Sequence, residues 1–159
     1  MKCSSIMTTP PTHVYVDTSV RDTMKVLKRH HMYNLPVIDR NGVFAGEISS
    51  RRLVGLLLPS SMTMELGLTN VRFMRESPDE LMERYQRVCG TPVSDYMATD
   101  IEVVHPDSPV IEALALLYQK YIRIAVVERD TRRLVGGISF ITVLRELEKL
   151  EARLGTADA

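Results

Sequence analysis

Apolar and polar positions alternate in two different rhythms along the first third of the chain. Val14-Tyr15-Val16 is a short β-rich run, and Asp17-Thr18-Ser19 follows with side-chain oxygens suited to a helix N-cap. Val20, Met24 and Leu27 then recur at i, i+4 and i+7 on one helical face, with Arg21, Asp22, Lys25, Lys28 and Arg29 on the other. Leu35 to Ile38 is too short and too β-branched for a helix. Asn41-Gly42 signals a hairpin turn, Val43 to Ile48 returns as the partner strand, and a weakly marked helix runs from Ser50 to Leu58.

The same order returns later. Ile101 to Val104 reads as a strand, Ser108-Pro109 as a helix start, and Val110, Leu114, Leu117 and Tyr121 as an apolar helix face. Ile124 to Val127 and Leu134 to Ile138 form a second hairpin, before a helix from Phe140 to about Leu154 whose charges alternate in sign. A shift of 90 positions places Asp17 on Asp107, Val20 on Val110, Gly46 on Gly136, Ile48 on Ile138 and Ser49 on Ser139. Leu35 to Ile38 faces Ile124 to Val127 one residue out of that register. Each copy therefore reads as βαββα. A unit of about 50 residues is marginal alone, so the two are expected to bury their sheets and helices together. The expected fold class is α/β (α+β), with repeats at 4–57 and 93–150, an insert at 58–92 and a tail at 151–159.

The insert is punctuated in its second half. Ser77 is placed as N-cap, Pro78 in the first turn, Glu80 to complete a capping box, and Leu81, Tyr85 and Val88 at helical spacing, with Gly90 and Pro92 as stops. Its first half, with Met62, Met64, Leu66, Leu68, Phe73 and Met74, is apolar without a clean period. Four of the chain's nine methionines lie in the insert, which suits either an adaptable contact surface or a cap on the domain's own core.

Composition narrows the function classes. With 20 basic and 20 acidic side chains in 159 residues, no net field of either sign favours nucleic acid or an anionic membrane. No apolar run approaches the ~20 residues of a membrane span, and the N-terminus lacks the apolar stretch of a secretory signal, so a cytosolic location is expected. Cys3 and Cys89 are then expected as free thiols.

Met7 and Met97, Asn34-Leu35-Pro36-Val37-Ile38-Asp39 before Gly42, and Gly46-Glu47-Ile48-Ser49 together resemble the cystathionine β-synthase (CBS) domain. So does Arg123-Ile124-Ala125-Val126-Val127 leading to Leu134-Val135-Gly136-Gly137-Ile138-Ser139. The resemblance implies a tandem pair, or Bateman module, in which two βαββα repeats pack with pseudo-twofold symmetry, dimerise, and regulate by binding adenosine-containing ligands between the copies. AMP, ADP, ATP or an S-adenosylmethionine-type compound is implied as ligand, and no cofactor is required. Carried over residue by residue, Arg123 takes a basic phosphate position, Ser139 a hydroxyl position, and Ile101 with Ala125 flanks a base beside Ile124. Thr142 stands where an acid holding ribose belongs. In the first copy Asn34, Leu35, Pro36 and Ser49 match, with Asn34 where a basic residue is common and Arg52 in the place of the acid. Loss of a charged acceptor costs ~1.5–3 kcal/mol, and Arg52 adds positive charge that favours a polyphosphate or dinucleotide end.

Other chemistries fit less well. His30-His31 point about 100° apart on a helix and have no carboxylate at i+4, so they read as helix-terminal histidines and no metal site is expected. Ser49, Ser50 and Ser139 lack a Gly-x-Ser-x-Gly setting, so no enzyme is expected. Arg129, Arg132 and Arg133 are interleaved with Glu128 and Asp130, as on a solvated turn. Two function classes remain: a nucleotide-sensing regulator with an unknown protein target, and a dimerisation or interaction module whose clefts have decayed.

Overall fold

A computed structural model describes residues 1–60, 62, 74–119 and 121–157. Met64, Leu66, Leu68 and Phe73 of the insert lie outside them. Among the described residues five helices, α1 (Val20–His30), α2 (Ser50–Leu57), α3 (Pro78–Val88), α4 (Val110–Gln119) and α5 (Phe140–Ala157), accompany five strands. These are β1 (Val14–Tyr15), β2 (Asn34–Ile38), β3 (Phe44–Ser49), β4 (Arg123–Val127) and β5 (Leu134–Ser139). They form a three-stranded sheet in the order β1-β2-β3 and an antiparallel β4-β5 pair.

The expected strand at Ile101 to Val104 reduces to one parallel bridge from Val104 to Val126. Val104 is buried, whereas Ile101 and Val103 are held by packing against Ala125, Val127 and Phe44 rather than by a ladder. The helix start in the second copy also differs from expectation. Ser108 does not cap α4; its hydroxyl accepts from the His105 N–H at 3.3 Å. Thr18, 90 positions earlier, accepts from the Tyr15 N–H at 2.9 Å, so both repeats close their first strand with the same side-chain turn. In the first copy Ser19 is left to cap α1, through Asp22 N–H at 3.1 Å.

Val110, Leu117 and Tyr121 pack on the core as the spacing suggests, and Leu114 does not. Ala113 is fully buried and Leu114 lies on the exposed side, because a helix with apolar residues all round carries no clear period. Ala113 corresponds to Thr23 of α1, which is likewise fully buried. The insert helix α3 has the expected capping box, with Ser77 and Glu80 satisfying each other's backbone N–H groups. Arg84 ties it to α2 by donating from Nε to the Leu57 carbonyl at 2.6 Å.

Two compact units emerge, and neither is continuous in sequence. One contains Met1–His13, Ile38–Ala45 and Asp100–Ala159; the other contains Val14–Val37 and Gly46–Thr99. The cause is an exchange of leading segments. In the second of these units, Val93 N–H donates to Thr18 O at 2.7 Å and Val20 N–H to Thr91 O at 2.9 Å, while Glu47 and Ala98 exchange backbone bonds of 2.9 and 2.8 Å. In the first, Cys3 N–H donates to Ser108 O at 2.8 Å and Val110 N–H to Met1 O at 3.1 Å, while Thr8 and Gly137 exchange bonds of 2.9 and 3.2 Å. The segment that precedes each repeat in the sequence is therefore docked on the other repeat. Cys3, a free thiol as expected, is fully buried in the core with Ile6, Val104, Ala113, Ile124, Val126 and Ile138. The other unit's core gathers Val14, Val20, Leu27, Leu35, Val37, Ile48, Leu53 and Val93.

Close approach of the docked segments demands glycine. A Cβ on Gly46 would lie 2.3 Å from the Ala98 carbonyl oxygen, and one on Gly136 would lie 2.6 Å from Met7 Sδ. Met97 and Met7 thus occupy corresponding seats. Gly46→Ala should lower stability by about 1–3 kcal/mol through forced separation of the Glu47 and Ala98 strands. Gly55→Ala in α2, with nothing within 4 Å, should raise it by about 0.5–1 kcal/mol; urea denaturation checks both.

Candidate functional site

The residues expected to contact ligand separate by sheet face. In β4, alternation sends Ile124 into the core with Val126 and Ile138, so its side chain is structural. Arg123 and Ala125 project to the opposite face, where Arg123 is paired across the hairpin with Ser139 and Ala125 with Gly137. Ile101 packs on the Ala125, Val127 and Phe44 cluster. This face therefore brings together Ile101, Arg123, Ala125 and Ser139. Thr142 is buried, and its hydroxyl accepts from Ser139 N–H at 2.9 Å and donates to Ser139 O at 2.7 Å. Its hydroxyl is thus engaged at the start of α5.

In the first repeat, Leu35 is a core residue and Asn34 and Pro36 are buried on the alternate positions of β2. Ser49 caps α2 by accepting from Arg52 N–H at 3.2 Å. Arg52 donates from Nε to the Tyr96 carbonyl at 3.2 Å, which fixes its guanidinium at the rim of a cavity of about 750 Å³. Glu47, Ser49, Arg51, Arg52, Leu56 and Tyr96 are among the residues that line this cavity. Ser49 and Arg52 are therefore brought together, whereas Asn34 reaches the site through a neighbour.

That neighbour, Glu47, was not picked out by sequence reasoning. Asn34 hydrogen-bonds the Glu47 carboxylate, and burial pushes the Glu47 pKa up, an effect the Asn34 bond partly offsets. The corresponding position in the second repeat is Gly137, where an added Cβ would come within 2.7 Å of Arg123 Nε. The second repeat thus uses a glycine to seat a guanidinium where the first has a carboxylate held by an amide. Burial likewise pulls the Arg123 pKa below its usual value, and the group remains a cation. The signal for Glu47 was present in the 90-residue alignment, as a Glu opposite Gly beside an Asn roughly opposite Arg. The roles of Tyr96 and Ala98 carried no such signal, because they depend on the exchange of leading segments.

The basic turn is occupied structurally. Arg129 pairs with Asp107 at 3.2 Å, and Arg133 donates to Asn41 O at 2.8 Å, lying over Gly42, whose φ is +83°. His30 ends α1 and His31 caps it in the left-handed conformation. Among the described residues no cluster of three or more His, Cys, Asp or Glu side chains could hold a metal, and no helix is long and apolar enough to cross a membrane.

Duplicated repeats with exchanged leading segments match a known class. The sequence pattern of the CBS domain matches residues 3–59 and 93–149, and the chain belongs to the CBS domain family. Paired CBS domains are generally regulatory rather than catalytic. The chain is similar to the CBS-pair protein CBSX2 from Arabidopsis thaliana, at 26% identity and a TM-score of 0.70, over 95% of this chain and 96% of that one. A structure of CBSX2 in complex with AMP is similar at 25% identity and a TM-score of 0.69, over 94% and 98% of the two chains. The uncharacterised protein MJ1426 of Methanocaldococcus jannaschii is 25% identical over 136 residues, 81% of each chain. An A-adding tRNA nucleotidyltransferase of Aquifex aeolicus is 30% identical over 157 residues, 94% of this chain but 15% of that protein.

The raised Glu47 pKa sets a pH dependence with a definite sign. An acid raised on folding confers stability that is complete below its unfolded value, about 4.3, and lost as pH rises through the folded value. Glu47→Gln removes that titration. Urea midpoints of wild type and variant should converge near about pH 4 and separate toward pH 7, with the variant more stable.

Proposed function

We propose that the chain is a cytosolic regulatory module that binds an adenosine-containing ligand, AMP, ADP, ATP or an S-adenosylmethionine-type compound, and performs no catalysis. The observation that carries this reading is the cavity that collects Ser49, Arg52 and Tyr96. Its volume of about 750 Å³ falls within the ~300–1,000 Å³ of small-ligand sites. Its chemistry suits a nucleotide: guanidinium groups of Arg51 and Arg52 for phosphate oxygens, a hydroxyl at Ser49, and apolar surface from Leu56 and Met97. The Ile101, Arg123, Ala125 and Ser139 face offers a second position of similar make-up. The similarity to CBSX2, solved with AMP, supports the same class of ligand. A ligand of this kind regulates only if it binds two states of the module with different affinity.

Thermal melts with AMP, ADP, ATP, S-adenosylmethionine and a cyclic dinucleotide test the reading. A binder at about 100 times its Kd should add about 2.7 kcal/mol, a rise of several degrees in Tm. No shift with any of them would falsify it.

A second reading, a dimerisation platform, draws on a separate observation. On α4, Ile111 and Tyr118 are 68% and 92% exposed, and on α5 Phe140 and Leu147 are 63% and 55% exposed. Ile111, Leu114 and Tyr118 share one helical face. Apolar surface of this kind suits a second copy of the chain. Sedimentation should then give a dimer at micromolar concentration, and Ile111→Glu with Tyr118→Glu should give a folded monomer; a monomeric wild type removes the dimer from the account.

A further inference from the structure

Among the described residues Glu47 is the only acid lining the first repeat's cavity, and it shares that cavity with Arg51 and Arg52. Its position is fixed from two sides. Its backbone exchanges both hydrogen bonds with Ala98, at 2.9 and 2.8 Å, and its carboxylate is held by the Asn34 side chain. No ion pair neutralises it among the described residues. Asn34 is neutral and buried, so it orients the carboxylate without cancelling its charge, and a carboxylate has about four acceptor sites. Acceptor capacity is thus left inside the cavity on a preorganised group, where ordering cost on binding is small.

A carboxylate and guanidinium groups lining one cavity impose a direction on any ligand that carries both a phosphate and hydrogen-bond donors. A phosphate beside Glu47 would be repelled, and so it belongs with Arg51 and Arg52. Arg52 is well placed for this, since its Nε is anchored on the Tyr96 carbonyl and its two terminal nitrogens have no partner among the described residues. The group facing Glu47 must donate hydrogen bonds. A ribose supplies two adjacent hydroxyls, and carboxylates recognise ribose hydroxyls in this way in other nucleotide sites. The second repeat lacks the device, because Gly137 replaces the acid and the Arg123 guanidinium lies against it.

We propose that Glu47 accepts hydrogen bonds from the ribose hydroxyls of a ribonucleotide while Arg51 and Arg52 hold its phosphate, so that the first repeat's cavity discriminates ribonucleotides from deoxyribonucleotides. This rests on the adenosine-ligand reading above. It assigns a specificity-determining role to a residue on β3 and gives the bound ligand its orientation.

The test is titration calorimetry with AMP, 2′-deoxy-AMP and adenosine, in an Arg123→Ala background that removes the cation of the other repeat's site. The parent chain should bind AMP about tenfold or more tighter than 2′-deoxy-AMP. Glu47→Gln, an isostere that keeps an acceptor for Asn34, should weaken AMP and adenosine about tenfold with little effect on 2′-deoxy-AMP. Arg52→Gln should weaken AMP with little effect on adenosine. Equal loss for AMP and 2′-deoxy-AMP in Glu47→Gln, or no loss for either, overturns the assignment while leaving the nucleotide reading intact. No binding of AMP by either the wild type or the background chain overturns both.

Discussion

The structure depends on a reciprocal exchange of short backbone segments. Residues 1–8 complete the repeat that follows Asp100, and residues 91–98 complete the repeat that begins at Val14. Each docked segment satisfies backbone groups at a helix start and at a strand edge, which would otherwise be costly to leave unpaired in a buried setting. Gly46 is the steric condition for one half of the exchange, since a Cβ there would meet the Ala98 backbone, and Gly136 gives the Met7 side chain its seat in the other. The cores follow from it. Cys3 and Ile6 reach one core, and Val93 reaches the other, only because their segments are exchanged.

The candidate ligand chemistry is a second consequence of the same exchange. The backbone pairing of Glu47 with Ala98 brings Tyr96 beside α2, where its carbonyl takes the Arg52 Nε, and the cavity forms around that contact. The repeats differ at this point. One sets a carboxylate against an amide, the other a guanidinium against a glycine, at corresponding places on corresponding strands. A duplicated fold has thus kept its hydrogen-bond frame while placing an acid on one strand and a base on the other at these positions.

Much of this was legible in the residues. Helices α1, α2, α3 and α5 and both hairpins were readable because caps, turn residues and apolar spacing agreed, most clearly at Ser77-Pro78 with Glu80 and at Asn41-Gly42. On α4, Val110, Leu117 and Tyr121 were read correctly, but Leu114 was taken for Ala113 as the central core residue because Ile111, Leu114 and Tyr118 make the opposite side apolar too. Ser108 was misread because a serine ahead of a helix can bond backward as well as forward, and here it bonds to His105. For the candidate site, family resemblance pointed to Ser49, Arg52, Arg123 and Ala125. Glu47 and Tyr96 were not, since a pairing between segments about 50 positions apart leaves no periodic mark in either one.

The exchange also bears on why the two repeats share one chain. A chain holding a single repeat with its own leading segment could not dock that segment on itself in the arrangement seen here; it would need a second molecule to return the favour. Joining the copies turns that encounter into an intramolecular one, in which the partner is always present at the high effective concentration set by the linking residues. Completion of each repeat is thereby independent of how much protein is present. Any further association between whole chains is then free to respond to concentration or to ligand without undoing the fold.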